Sequence, residues 1–314
     1  MTKYIQGSWF EFQHHNKAEG IYWNQACAGF KDRDWDNKVK EIAETGMKYL
    51  VLMAVALDFK AFYNTDILPK ADLACEDPLE IILCAGDKYG VDFFIGADFF
   101  GDWQNSRDCI TNPEVIKKRL KSMGELAERY AGHKSFYGWY WANEAFIDRY
   151  YSVDFIDYVN CCSREAHKLT PYAKTLIAPY GTRVAVPDDK YVKQLEQLDV
   201  DIIAYQDEVG VQKTRLEESA AFYEGLRKAH DKVQNTAIWA DVEIFRFEGE
   251  VYTSALLPAA FSRIEKQLQA VSPYVDNILV YQYQGMMNKP DSLAFAGHPD
   301  SVILYTDYVN WLNC

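Results

Sequence analysis

Two glutamates in this 314-residue chain stand where the surrounding apolar sequence gives no reason for a carboxylate. One closes the segment Phe136-Tyr-Gly-Trp-Tyr-Trp-Ala-Asn-Glu144, and the other lies near the end of Thr236-Ala-Ile-Trp239-Ala-Asp241-Val-Glu243-Ile-Phe245. A glutamate at the edge of such a run is partly desolvated, which raises its pKa and suits it to deliver a proton near neutral pH. The competing role for Glu144 is structural, as an acidic residue opening the next helix and complementing its dipole. In an extended strand the two-residue period puts Trp239, Asp241 and Glu243 on one face. Two acids there would be costly in a plain core but reasonable if that face climbs into a solvated pocket. Two carboxylates flanking one bond can hydrolyse a glycoside, at roughly 5–5.5 Å apart with retention and about 6.5–9.5 Å apart with inversion.

Other residues fall near these two and are candidates for holding substrate: Asn143, Asp207, Trp9, His14, Trp103, Tyr205, Trp239, Asp241 and Tyr283. Asp207 would orient a sugar hydroxyl or tune a catalytic glutamate, or else cap the loop before Gly210. Aromatic residues make up 15% of the chain, which suits either a packed core or platforms for the apolar faces of sugar rings. Trp103 is the best placed for the second role because its loop, Gly101-Asp-Trp-Gln-Asn105, offers little core to surround it. His14 and His15 are neighbours, and adjacent residues of a strand point to opposite faces. With no HxH or HExxH spacing either, a substrate-lining histidine is expected rather than a metal ligand, and no metal or other cofactor. No GxSxG elbow supports serine chemistry.

Something must bring these residues together. Eight apolar runs, Gly7–Gln13, Tyr49–Ala56, Val91–Phe99, Phe136–Asn143, Ala173–Pro179, Ile202–Gln206, Ala237–Glu243 and Asn277–Gln284, read as strands. Helical patterns alternate with them: from Asp34 or Asp36 through Glu44, from Pro113 to about Tyr130, and near Pro78–Tyr89, Val153–Leu169, Asp188–Leu198, Leu216–His230, Leu257–Val271 and Asp300–Leu312. Strand then helix eight times predicts a single-domain α/β chain, a closed (β/α)8 TIM barrel over residues 1–314. An open doubly wound sheet is disfavoured because no strand-to-helix turn carries a phosphate loop. Polar and aromatic residues concentrate after the strands, the face on which barrel enzymes build their sites.

Composition narrows the partners. With 33 basic and 46 acidic residues the net charge is −13, which opposes nucleic acid and anionic lipid. No run approaches the roughly 18 apolar residues of a spanning helix and no secretory signal opens the chain, so no membrane association and a cytoplasmic location are expected. Seven scattered cysteines read as reduced, structural thiols.

The phrases Gly7-Ser-Trp9-Phe, Gly138-Trp-Tyr-Trp-Ala-Asn143-Glu144, Ile203-Ala-Tyr205-Gln-Asp207-Glu208-Val-Gly210-Val and Trp239-Ala-Asp241-Val-Glu243-Ile-Phe resemble a bacterial family known as domain of unknown function 4434. The resemblance spans nearly the whole chain. It implies a (β/α)8 barrel related to the glycosidases that place an Asn-Glu acid/base after strand four and a nucleophilic Glu after strand seven, matching Asn143-Glu144 and Glu243. Asp207-Glu208 departs from that clan, in which an aromatic residue or histidine often follows strand six.

The resulting expectation is a glycoside hydrolase acting on a carbohydrate, with Glu144 as acid/base and Glu243 as nucleophile. Its rivals are a sugar isomerase or epimerase, holding a divalent metal with Glu144, Asp207, Glu243 and a histidine, and a carbohydrate-binding barrel without activity.

Overall fold

A computed structural model describes residues 2–234 and 236–313. Eight parallel strands close on themselves: β1 (Gly7–Phe10), β2 (Tyr49–Leu52), β3 (Asp92–Gly96), β4 (Phe136–Tyr140), β5 (Lys174–Ile177), β6 (Ile202–Gln206), β7 (Ala237–Glu243) and β8 (Asn277–Tyr281). Closure is made where Gly7 and Ser8 of β1 pair with Leu279 and Val280 of β8. Outside lie α1 (Asp32–Ala43), α2 (Pro78–Tyr89), α3 (Pro113–Tyr130), α4 (Val153–Leu169), α5 (Asp189–Gln197), α6 (Leu216–His230), α7 (Phe261–Val271) and α8 (Ser301–Leu312). The chain is therefore a (β/α)8 barrel, as the alternating pattern predicts. Local chemistry sets several helix boundaries. Pro78 and Pro113 occupy first turns, where a missing N–H costs nothing, and Asp77 and Asn112 accept main-chain N–H groups as caps.

The strands are shorter than several of the apolar runs, because the last residues of those runs leave the ladder to form the mouth. One boundary is corrected. Leu257 does not begin a helix: Leu256–Pro258 pairs antiparallel with Phe245–Phe247 in a hairpin above β7, and α7 starts only at Phe261. No helix among the described residues is long and apolar enough to cross a membrane. The six described cysteines are free thiols, and Cys314 lies outside the described residues.

The barrel interior is filled in layers. At the bottom, the Trp239 ring lies 5.1 Å from Tyr49 and 6.0 Å from Phe94, with Tyr137 also against Tyr49 and Phe94. Gly138 admits this packing, since a Cβ there would stand 2.3 Å from the Lys174 carbonyl and 2.8 Å from Phe94. Higher up, Trp9 meets Tyr140 edge-on at 5.8 Å and Tyr281 at 6.5 Å. Above that layer the interior opens.

Candidate active site

A cavity of about 410 Å³ opens at the C-terminal ends of the strands. Glu144, Asp241 and Glu243 all line it, with Glu208 and Glu19 adding two further carboxylates. Glu144 stands four residues beyond Tyr140, the last residue of β4, and its Oε1 accepts a hydrogen bond from the Tyr140 hydroxyl at 3.2 Å. Burial drives its pKa up to about 7, although Gln206 and Tyr140 stabilise the anion in part. A carboxyl so placed holds a proton near neutrality.

Glu243 ends β7 and is buried; its Oε2 accepts the Val211 N–H at 2.8 Å. Gly210 lies so close that a Cβ on it would stand 2.9 Å from Glu243 Cβ. Helix α7 fixes the strand end: Arg263 Nη2 donates to the carbonyl oxygens of Glu243 and Phe245 at 2.7 and 2.8 Å, and Gln267 Nε2 reaches the Glu243 carbonyl at 3.1 Å. Burial and neighbouring acids, Asp207 foremost, push the Glu243 pKa well up, opposed by the Val211 N–H and the Arg263 charge. Asp241 is also raised well above the carboxylate range, by burial, then Glu243, then Glu144. Its Oδ1 has no hydrogen-bond partner among the described residues. Acids crowded in this way do not all ionise together. Asp241 and Glu243 are thus both held toward the protonated form, and of the two only Glu243 has, among the described residues, a main-chain N–H that stabilises its anion.

Several residues expected to hold substrate are placed elsewhere. Trp239 is bottom-layer core, two strand positions too low to reach the cavity. Trp9 is fully buried beneath the cavity and not in its wall. Tyr205 points outward between strand and helices, where its hydroxyl meets Tyr191 at 2.9 Å and His230 at 3.0 Å. Tyr283 is buried against Tyr305 and Lys38 of the outer shell. Two positions earlier, Tyr281 takes the wall position. Asp207 does not face the cavity: its Oδ1 accepts the Val209 and Glu243 N–H groups, each at 3.2 Å, and its Oδ2 accepts from Gln267 at 2.7 Å. Burial raises it to about 6. It fastens the end of β7, and Glu208 takes the wall instead, in step with Gln206 two residues earlier, while Asp207 shares the outward side of Tyr205. Asn143 is buried, donating to Asp98 and 3.3 Å from the Tyr158 hydroxyl. Asp98 also receives Arg119 Nε at 2.7 Å and Tyr158 at 2.8 Å. Asn143 thus holds Glu144 in place from behind, although it borders a second depression beside that residue.

The histidine expectation is revised too. His14 is buried between two carboxylates, with Nδ1 3.0 Å from Glu11 and Nε2 3.0 Å from Glu19. Burial lowers its pKa, but Glu11 and Glu19 outweigh that and bring it to about 9. His15, brought down to about 3 by burial and His14, is the one that lines the cavity. The rings lie 4.5 Å apart, on one side, because residues 11–15 bend rather than extend, so strand alternation does not apply. Trp103 is one ring removed from the cavity, 4.6 Å from His15. Tyr180 and Gln206, which the sequence places after strands at this end of the barrel, line the wall, whereas Lys213, Tyr252 and the hairpin's Phe245, Phe247 and Leu256 were not expected there. The signal available for the hairpin was the alternation Phe245-Arg-Phe247, with an exposed Arg246 between two buried rings.

The sequence profile described as "Domain of unknown function (DUF4434)" matches residues 5–294. No curated protein sequence matches the chain. Among solved structures, a Bacteroides thetaiotaomicron VPI-5482 protein provisionally assigned as an alpha-L-fucosidase superposes with a TM-score of 0.77 at 18% identity, covering 99% of this chain and 96% of its own. The endo-beta-1,4-mannanase from Thermotoga petrophila gives 0.61 at 12% identity, over 99% and 77% of the two chains. An endo-1,4-beta-mannanase from Rhizomucor miehei gives 0.59 at 10% identity, over 99% and 95%. At these identities the likeness is one of fold.

Proposed function

The chain belongs to the DUF4434 family, and we propose that it is a glycoside hydrolase in which Glu144 is the general acid/base and Glu243 the nucleophile. One observation carries this reading. A carboxyl raised to about 7 and a second carboxyl whose Oε2 accepts a main-chain N–H line the same cavity, on strand ends four and seven of a closed barrel. Glu144 protonates the glycosidic oxygen while Glu243 attacks the anomeric carbon. Glu144, now ionised, then takes a proton from the water that releases the sugar. Asp241, held toward the protonated form by burial and the neighbouring acids, donates a hydrogen bond to a substrate hydroxyl, its Oδ1 having no partner among the described residues.

Glu144 and Tyr180 form a shared wall between the main cavity and the second depression, which Ser106, Arg107 and Phe146 help to line. The acid therefore stands at the junction of two compartments, where a bond spanning them would be cut. The sugar to be transferred occupies the acidic cavity, and the leaving group the depression beyond Glu144. Solved structures of glycosidases among the similar folds are in keeping with a carbohydrate substrate.

The rival sugar isomerase needs Glu144, Asp207, Glu243 and a histidine around one metal. With Asp207 turned behind β7 onto Gln267, that set is not brought together. The test is a screen of the purified protein against aryl glycosides and oligosaccharides, reading the anomeric configuration of the first product by NMR. Retention agrees with a nucleophilic Glu243, inversion would make it a base, and saccharide binding with no hydrolysis across the screen would remove the reading.

A further inference from the structure

We propose that His14, His15 and Glu19 form a binding site for a divalent transition-metal ion such as Zn²⁺, set into the rim of the cavity. One ligand atom from each residue lies within 4.8 Å of the other two. His14 Nε2 and Glu19 Oε2 are 3.0 Å apart, against ~3.3 Å for two ligands at ~2.05 Å from a tetrahedral zinc, so that pair needs little movement. His15 Nδ1 is shielded from solvent and has no hydrogen-bond partner among the described residues, a lone pair without an assigned use. Two imidazoles and one carboxylate suit zinc and its neighbours better than magnesium or calcium, which favour all-oxygen sites.

The surroundings match what a metal site requires beyond its ligands. The other nitrogen of His14 meets both Glu11 oxygens, at 3.0 and 3.1 Å, which fixes the ring with Nε2 turned toward Glu19 and the proposed ion position. Glu11 is itself held by Trp23 Nε1 at 2.8 Å and Gln282 Nε2 at 2.6 Å. The second oxygen of Glu19 accepts from Asn16 Nδ2 at 2.8 Å, leaving Oε2 for the ion. Trp103 backs the His15 ring. His15 and Glu19 are both cavity-wall residues, so a fourth coordination position faces the cavity and is open to an oxygen of a bound molecule.

Isothermal titration of the chelator-treated, full-length protein with ZnCl₂ tests the site. A second cluster at the surface, Glu80, Cys84 and His133, is separated from it by working in the His133→Asn background. One ion per chain is expected there, weakened more than about 100-fold by His15→Ala or Glu19→Gln and about 10–100-fold by Glu11→Gln. Zinc should raise the Tm of the His133→Asn protein and not that of the same protein carrying His15→Ala. Zinc anomalous density in crystals of the unsubstituted protein should lie between the three ligand atoms, a readout independent of how any variant folds. Unchanged zinc affinity in both ligand variants, or anomalous density only at Cys84 and His133, would overturn the proposal.

Discussion

Glu144 is the side chain through which pH should act. A general acid must carry its proton, so turnover should fall as pH rises through about 7, and Glu144→Gln should lose that alkaline limb. The same shift has a consequence for stability. Because the folded pKa lies above the ordinary 4.5, folding is favoured when the group is protonated. That contribution is complete below 4.5 and is lost as pH rises through about 7. Glu144→Gln should therefore raise the Tm above pH 7 while leaving it little changed at pH 4, which a pair of thermal melts checks. The two glutamates should also separate kinetically. Glu144→Gln should lower activity about 10²–10⁴-fold on natural linkages yet spare aryl glycosides with good leaving groups, whereas Glu243→Gln should fail on both. Should the leaving-group sensitivity follow Glu243 instead, the roles would be exchanged.

Between residue and barrel stand the contacts that hold strand ends. Asp207 and Gln267 fasten the end of β7 to α7, which makes Gln267 a positioning residue one step removed from the chemistry. Replacing it with Leu removes donors to both Asp207 and the Glu243 carbonyl. The expected result is a fall in kcat with KM nearly unchanged, since substrate contacts stay in place; a rise in KM alone would count against this role. At the end of β4 the Asp98 carboxylate gathers Arg119 from α3, Tyr158 from α4 and Asn143 beside the proposed acid. Asp98→Ala leaves a buried guanidinium unpaired, so urea denaturation should show a loss of about 3–5 kcal/mol.

For the whole molecule the decisive event is closure between first and last strands. Helix α8 covers that seam, its Tyr308 hydroxyl meeting the Ile5 N–H at 3.1 Å and the Ile5 carbonyl at 3.3 Å. A chain ending before Ser301 would leave β1 and β8 uncovered on their outer face. It is expected to lose its cooperative melt and its near-ultraviolet circular dichroism together, and a sharp melt near the full-length Tm would show closure to be independent of α8. At the mouth, the loop after β1 and the hairpin after β7 are tied by the Leu256 N–H to the Glu19 carbonyl at 3.1 Å and by Asn16 Nδ2 to the Tyr252 carbonyl at 2.9 Å. Residues more than two hundred positions apart thereby share one rim.

What the sequence determined by itself was everything governed by local period: eight strands, eight outer helices with their prolines and caps, and two glutamates at strand ends that had to emerge at one face of a barrel. Glu144, Asp241 and Glu243 were legible because burying them in plain core would be costly and strand alternation put the last two on one side. Depth and direction beyond a strand's end were decided only in three dimensions. Trp239 shares the face of Asp241 and Glu243 yet lies in the bottom layer, because a barrel interior is filled from below and the period does not record height. His15 displaced His14 and Tyr281 displaced Tyr283 because the chain bends at the mouth, where tertiary contacts rather than alternation set where each side chain points, whereas Glu208 lines the cavity in place of Asp207 because the alternation of β6 runs on past its last residue.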